Sequence, residues 1–176
     1  MSLVVRNLQR AVPLRRARLR RDVELLRRIA GIERFDLGLA CVDNRRMQRL
    51  NAAYRRTDEP TDVLSFPFYE GPRLEAGKLS SMSRELPRDE LNLGDVVLGV
   101  QYIMDMVMAP CVESSREDFY GALTVITLHG ICHLLGYRHD THEQWTEMFQ
   151  KEKYILSEFN RLTGGQLEPL TGRDAS

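Results

Sequence analysis

Residues 119–139 read FYGALTVITLHGICHLLGYRH and contain the features that decide the fold. From residue 119 to residue 135, apolar side chains cover most of the helical circumference, which is typical of a helix buried on all sides. His129 and His133 are two of its few polar side chains, and a spacing of four places both on one helix face. We therefore expect a buried central helix that carries a pair of imidazoles.

A third histidine completes a metal-binding pattern. Gly136 follows where a helix commonly ends in a left-handed residue, and a turn there can bring His139 back toward the pair. One divalent ion satisfies three buried imidazoles together, whereas unrelated core histidines would each need separate partners. We predict that His129, His133 and His139 bind one transition metal ion, with zinc as the first choice and another divalent transition metal as the alternative.

The ligand set indicates a catalytic metal site rather than a structural one. Three nitrogen ligands without cysteine leave a coordination position open, which is typical of catalytic zinc. His142 is a weaker candidate for a fourth ligand, because a position beside a helix cap favours the surface. Asp140 either orients a ligand or is an exposed turn residue. The spacing matches the HExxHxxGxxH pattern of metzincin proteases, but Gly130 stands at the position of their catalytic Glu, which disfavours peptide hydrolysis.

Length and composition predict one globular domain over residues 1–176, with an irregular tail from residue 163. Hydrophobic residues make up 43% and charged residues 28% of the chain, and no apolar run is long enough to span a bilayer or to form a secretory signal. Cys41, Cys111 and Cys132 are scattered without a CxxC pair. We therefore expect neither a disulfide framework nor a thiolate zinc site.

Periodicity along the chain predicts an α+β fold. We expect a small mixed β-sheet packed with five or six helices, and a cleft bordered by the strand at residues 63–68, which Pro67 either confines to a sheet edge or brings to an end. Residues 70–92, rich in Gly, Pro and Ser, are expected to form a long loop. The predicted strands are 3–5, 35–42, 63–68 and 95–100; the predicted helices are 15–30, one capped by Asp43, 101–108, 119–135, and one that begins at a Thr141–Gln144 capping box.

Charge is distributed unevenly, although the formal net charge is zero. Residues 1–56 hold 15 Arg and no Lys against five acidic residues, whereas the remainder holds 10 basic and 20 acidic residues. This asymmetry suggests a polyanionic partner for the N-terminal part, but charge by itself favours the simpler alternative of a solvated, arginine-rich helix surface.

Three sequence blocks together carry a resemblance to a known family. They are HGICHLLGYRH at 129–139, LNAAYRRTDEPTDVLSFPF at 50–68 and LGD at 93–95. The chain resembles the YbeY-type endoribonucleases over nearly its whole length, and from its opening MSLVVRNLQR it is similar to the animal, mitochondrial branch. One departure is Arg138, where the family commonly has Asp before the third histidine.

The resemblance implies a metal-dependent endoribonuclease, specific for single strands, that acts in ribosomal RNA maturation and ribosome quality control. It implies zinc at the three histidines, and it gives Arg55 the role of the family's functional arginine, which could clamp a phosphate. Single-stranded and ribosomal RNA are the expected partners, together with small-subunit ribosomal proteins. We expect Arg55 to act with the arginine-rich helix and with Arg45, Arg46, Arg49 and Arg56 in holding the RNA backbone.

Several points stay open at this stage. The nucleophile is either water on the metal or the RNA 2′-hydroxyl. A zincin-type protease, and a non-catalytic ribosome- or RNA-binding protein with a structural metal, are the alternative functions. Packing explains Ser65 adequately without a chemical role. The Arg-rich, acid-poor start and the animal-type resemblance favour mitochondria over the nucleus or cytoplasm. Because residues 3–7 look like a core strand, we expect import without cleavage of a presequence.

Overall fold

A four-stranded sheet organises the structure, a computed structural model that describes residues 3–71, 74–109 and 116–171. Its strands lie in the order β1-β2-β4-β3; β1, β2 and β4 are parallel, and β3 pairs antiparallel with β4. β3 is therefore an edge strand, as Pro67 predicted, because proline has no N–H to donate to a second neighbour. The strands are β1 (Leu3–Asn7), β2 (Asp36–Val42), β3 (Val63–Pro67) and β4 (Asn92–Gly99).

Six α-helices accompany the sheet in the described part of the chain, which confirms the predicted α+β fold. The Asp43 side chain caps α2 by accepting a hydrogen bond of 2.9 Å from the backbone N–H of Arg46, and Thr141 and Gln144 form the predicted capping box of α6. The helices are α1 (Arg16–Ala30), α2 (Asn44–Arg55), α3 (Lys78–Met82), α4 (Val100–Val107), α5 (Arg116–Leu134) and α6 (His142–Thr163).

The long loop expected over residues 70–92 is only partly a loop. It contains α3 and a 3₁₀ turn at Arg88–Glu90, and β4 begins at Asn92 rather than at residue 95. Leu79, which is 1% exposed, anchors α3 in the core. A helix of five residues buries a single large apolar side chain, so it leaves no periodic pattern from which a helix could be predicted.

The two faces of the sheet are covered by different helices. One face carries Leu39 and Val96, which belong to the main core together with buried residues of α1, α5 and α6. The opposite face carries Leu64 and Val97, which pack with Met47 of α2 in a smaller cluster. Alternation along each strand produces this division, because successive side chains point to opposite faces. Consequently α2 and α5 lie on opposite sides of the sheet.

The arginine-rich helix α1 is amphipathic as predicted, with Leu19 and Val23 buried, but one of its arginines does not belong to the solvated face. Arg27 is 0% exposed and donates hydrogen bonds to the Phe35 carbonyl at 2.7 Å, the Glu33 carbonyl at 3.0 Å and the Glu24 carboxylate at 2.8 Å. These acceptors satisfy the two terminal nitrogens of the guanidinium, while its buried Nε has no hydrogen-bond partner within the described residues. None of the described helices is long and apolar enough to cross a membrane.

Candidate metal centre

The three predicted histidines lie together at the end of α5. His129 and His133 are one turn apart on that helix, and His139 follows in the turn between α5 and α6. Their ring centroids are 4.7 Å apart for His129 and His133, 5.5 Å for His129 and His139, and 5.2 Å for His133 and His139. The structure therefore brings together the ligand set that the spacing predicted.

Gly136 makes the turn that returns His139. Its φ of 93° lies in the region that favours glycine, and a Cβ at this position would lie 2.6 Å from the Leu74 carbonyl oxygen. The backbone N–H of Tyr137 donates to the Cys132 carbonyl at 3.0 Å, which closes the end of α5. Gly136 is thus required both by its backbone conformation and by the close approach of the preceding loop.

The distances between the donor atoms fit one metal ion. The Nε2 atoms of His129 and His133 are 3.2 Å apart, and one ring nitrogen from each of the three histidines lies within 4.8 Å of the others. A tetrahedral site with zinc–nitrogen distances of 2.0–2.1 Å has its ligand atoms about 3.3 Å apart. The pair on α5 already has the separation that such a site needs.

The outer ring nitrogens decide which nitrogens are available as ligands. His133 Nδ1 lies 3.0 Å from the Tyr137 carbonyl oxygen, which can only accept, so this nitrogen carries the proton. His129 Nδ1 lies 3.5 Å from Glu152 Oε1, a carboxylate oxygen. With protons on both Nδ1 atoms, the two Nε2 atoms face each other as lone pairs. A cation between them removes that repulsion, so the residues present fit a bound metal.

Burial prepares His133 for this role. The pKa of His133 is lowered from 6.5 to about 4, mainly by desolvation and next by the neighbouring His129, while the hydrogen bond to the Tyr137 carbonyl acts in the opposite direction. His133 is therefore neutral at pH 7, which is the form that binds metals. His129 is 7% exposed, His133 is half-buried and His139 is exposed, so the cluster opens from the core toward solvent.

Gly130 lies where α5 contacts the sheet most closely. A Cβ at this position would lie 2.9 Å from Val96 Cγ1 and 3.2 Å from both Ser65 Oγ and Val63 Cγ2. The Ser65 hydroxyl donates to the Gly130 carbonyl at 3.1 Å, which agrees with a packing role for this serine. Since a Cβ is already crowded here, the larger side chain of a metzincin glutamate would not fit without moving the helix away from β3 and β4.

Two weaker candidates from the sequence lie outside the metal cluster. His142 is exposed at the start of α6, where its ring stacks on Trp145 with centroids 6.2 Å apart. Asp140 pairs with Arg138, whose Nε lies 3.2 Å from Asp140 Oδ2, and both side chains are well exposed. Of the two alternatives for Asp140, the structure therefore supports an exposed turn residue rather than a contact with a histidine ligand.

The cysteines do not contribute thiolates to the site. Cys41 and Cys132 are buried free thiols, and Cys111 lies outside the described residues. Burial raises the pKa of Cys41 to about 12. Burial also raises the pKa of Cys132 well above its usual range, and the nearby Glu152 acts in the same direction. Both described cysteines are therefore protonated at pH 7, which is consistent with a ligand set of imidazoles alone.

The histidines open into a cleft of about 2140 Å³ beside the edge strand β3. The described arginines that line it are Arg18 and Arg21 of α1, Arg55 at the end of α2, and Arg138. The other arginines expected to hold RNA are exposed but do not line the cleft: Arg45, Arg46 and Arg49 of α2, and Arg56 directly after it. The three in α2 are kept from the cleft because this helix packs on the opposite face of the sheet and only its last turn reaches the β3 edge.

Two functional candidates were missed in the sequence. Glu152 on α6 is 0% exposed and lies beside His129, and Thr171 in the segment after α6 is 1% exposed and contacts both. The sequence pattern predicts that Glu152 lies on the buried face of α6, because it falls on the same helical stripe as Met148, Ile155 and Phe159. Thr171 carried no such signal, since it follows seven residues without helix or strand.

The fold and the site together define a class of protein: an α+β protein with three histidines placed to hold a metal ion, in a cleft whose lining includes four arginines and four carboxylates. Residues 7–160 match the sequence model of the family described as Endoribonuclease YbeY. The chain belongs to this family.

The relatives cover nearly the whole chain. The human protein named Endoribonuclease YbeY is 52% identical over 171 residues, which is 97% of this chain and 96% of the human one. A Bacillus cereus protein of the same name is 32% identical over 163 residues, 90% of this chain and 97% of its own. The solution structure of a Thermotoga maritima protein covers 96% of this chain and 98% of its own, with a TM-score of 0.51 and 19% identity, which supports the fold alone.

Proposed function

We propose that this protein is a metal-dependent endoribonuclease in which His129, His133 and His139 hold the metal and Arg55 contacts the substrate phosphate. The family and the relatives named Endoribonuclease YbeY support RNA as the substrate. The observation that carries the proposal is the convergence of three imidazoles, with two Nε2 atoms 3.2 Å apart, at the wall of a cleft lined by four arginines. The same lining contains four carboxylates, Asp22, Asp62, Asp118 and Glu168, so the arginines would hold a polyanion through local contacts with its phosphates rather than through a net positive charge of the cleft.

The roles of the residues follow from their positions. When bound, the ion supplies Lewis acidity at the scissile phosphate. Arg55 is exposed at the end of α2 and presents a guanidinium that can hold phosphate oxygens with two hydrogen bonds and stabilise the charge that develops during scission. Arg18, Arg21 and Arg138 would hold neighbouring phosphates and fix the register of the strand.

A finer description of the activity is also part of the proposal. Zinc is the metal that best suits three histidines with a position left open. We propose specificity for single-stranded RNA and a role in ribosomal RNA maturation together with small-subunit ribosomal proteins, on the family resemblance. A mitochondrial location is supported by the Arg-rich, acid-poor start of the chain. We also propose that residues 1–176 act as one endoribonuclease domain.

The crowding at Gly130 argues against a zincin-type protease. Peptide hydrolysis by the metzincin pattern uses a glutamate at this position as general base, and the contacts of Gly130 with Val96, Ser65 and Val63 leave no room for one. A phosphodiester does not require that base, because the metal and the cleft arginines can stabilise its transition state directly.

The test is a cleavage assay with wild-type protein and His133→Ala on matched single-stranded RNA, double-stranded RNA and casein, with and without added Zn²⁺. We expect the wild type to cut single-stranded RNA and leave the duplex and casein intact, and the variant to be inactive. Attack by the 2′-hydroxyl would leave a 2′,3′-cyclic phosphate, whereas attack by water would not. Cleavage of casein with intact RNA would overturn the proposal.

A further inference from the structure

Glu152 is a buried carboxylate with one oxygen left without a partner. It lies on the inner stripe of α6 and is 0% exposed. Oε2 accepts a hydrogen bond from the Thr171 hydroxyl, while Oε1 has no hydrogen-bond partner within the described residues. No Lys or Arg in the described part of the chain forms an ion pair with it. A buried carboxylate oxygen without a donor is costly, so its position calls for an explanation.

A donor close to Oε1 belongs to a predicted metal ligand. His129 Nδ1 lies 3.5 Å from Glu152 Oε1 and 3.4 Å from the Thr171 hydroxyl. A shift of a few tenths of an ångström would turn the first contact into a normal hydrogen bond. A proton held on Nδ1 by this carboxylate leaves Nε2 free as a lone pair on the side that faces His133 and His139.

Two side chains of α6 fix the position of Thr171 through hydrogen bonds to the segment that follows the helix. The Asn160 side chain exchanges two hydrogen bonds with the Leu167 backbone, at 2.9 and 3.0 Å. The Trp145 indole donates to the Thr171 carbonyl at 2.9 Å. Together they place the Thr171 hydroxyl against Glu152. The segment 164–171, which contains no α-helix or strand, is therefore held beside the three histidines.

We propose that Glu152 is a positioning residue of the metal centre, which orients His129 through Nδ1, and that Thr171 fixes the Glu152 carboxylate for this purpose. The inference rests on the proposed metal binding by the three histidines and extends it to α6 and the C-terminal segment. A carboxylate behind a histidine ligand raises the basicity of the ligand and balances part of the charge of the ion.

The test compares the full-length wild type with Glu152→Gln, Thr171→Val and, as a matched control, Glu147→Gln, which removes an exposed carboxylate from the same helix. Zn²⁺ affinity is measured by competition with a chromophoric chelator, and the ligand field is read from the visible absorption of the Co²⁺-loaded protein. We expect Glu152→Gln to weaken Zn²⁺ binding by about 10- to 100-fold and to change the Co²⁺ spectrum. Thr171→Val should have a smaller effect in the same direction, and the control should match the wild type.

Thermal unfolding separates positioning from a purely structural role. Without metal, Glu152→Gln should unfold at the wild-type temperature or above, because the variant no longer buries a carboxylate that lacks a cation. With Zn²⁺, its stabilisation should be smaller than that of the wild type. Wild-type Zn²⁺ affinity and an unchanged Co²⁺ spectrum in Glu152→Gln would overturn this inference and leave the proposed function standing. A wild-type protein that takes up no metal would overturn both.

Discussion

The hydroxyl of Ser65 in the edge strand β3 donates a hydrogen bond of 3.1 Å to the carbonyl of Gly130 in the central helix α5. This contact joins the wall of the cleft to the helix that carries two of the three histidines. A Cβ at position 130 would lie 3.2 Å from Ser65 Oγ, so the absence of a side chain lets the strand and the helix approach this closely. The glycine that separates this site from the metzincin pattern is therefore also the residue that sets the distance between β3 and α5.

The first prediction concerns this contact. Gly130→Ala should destabilise the protein by about 1–3 kcal/mol, because its Cβ would lie 2.9 Å from Val96 Cγ1 and also 3.2 Å from Ser65 Oγ and Val63 Cγ2, three short side chains of the sheet with little room to move. This overpacking should outweigh the better helix propensity of Ala. Urea unfolding monitored by circular dichroism measures the change. The control is Gly121→Ala on the same helix, where the new Cβ would meet only the flexible end of Leu167 and should be neutral or stabilising. Equal stability of the two variants would contradict this explanation.

The second prediction separates ligands from the neighbouring histidine. His133→Ala should lose bound Zn²⁺, because it removes one of three ligand atoms, while His142→Ala should retain a full equivalent. Elemental analysis of the purified proteins gives the metal content. At free Zn²⁺ one hundred times the Kd, the wild type should gain about 2.7 kcal/mol, which corresponds to roughly 5–10 °C in Tm. The same gain in His133→Ala would argue against the site.

The third prediction tests Arg55. Arg55→Ala should lower kcat/KM for single-stranded RNA by about 10²- to 10³-fold with Zn²⁺ content unchanged, because it removes a charged donor from the reacting phosphate. Arg55→Lys should recover only part of the activity, since an ammonium does not offer the paired donors of a guanidinium. Arg49→Ala, on the same helix but outside the cleft, is the control and should keep nearly full activity. A loss of similar size in Arg49→Ala would show that RNA cleavage depends on the total positive charge of α2 rather than on the position of Arg55 in the cleft.

The fourth prediction concerns salt. If the four cleft arginines each contact one phosphate, the plot of log affinity for single-stranded RNA against log salt concentration should have a slope of about −3. Fluorescence anisotropy with a non-cleavable RNA gives this slope when binding is measured between roughly 50 and 300 mM salt. Arg18→Ala or Arg21→Ala should reduce the slope by about 0.7. A slope that stays the same in both variants would place the RNA away from α1.

The fifth prediction concerns the buried arginine of α1. Arg27→Met should destabilise the protein by about 2–4 kcal/mol, because it leaves the buried Phe35 carbonyl and the part-buried Glu33 carbonyl without their donor. Arg28→Met, which alters an exposed side chain on the same helix, should change the free energy of unfolding by less than about 0.5 kcal/mol. Chemical denaturation of both variants provides the comparison. Similar values for the two would mean that the hydrogen bonds of Arg27 contribute little.

Local patterns determined much of this protein. A three-nitrogen site is specified within a dozen residues, by the spacing of His129 and His133 on an apolar helix and by the turn at Gly136 that returns His139. The backbone geometry of one helix end is enough to bring the three imidazole rings together. Caps at Asp43 and Thr141 and the edge position of the Pro67 strand were predictable for the same reason. Each depends on hydrogen bonds or sterics between residues that are near in sequence.

Packing between distant segments decided the rest. α2 lies across the sheet from α5, so most of its arginines do not line the cleft, although the charge pattern predicted that they hold RNA there. Arg18 and Arg21 reach the cleft from α1. Glu152 and Thr171 meet His129 only because α6 and the segment after it fold back against α5. Charge and side-chain type can be taken directly from the sequence. Which side chains share a cleft depends instead on how the faces of the sheet and the helices pack against one another, and the order of residues along the chain does not specify this packing.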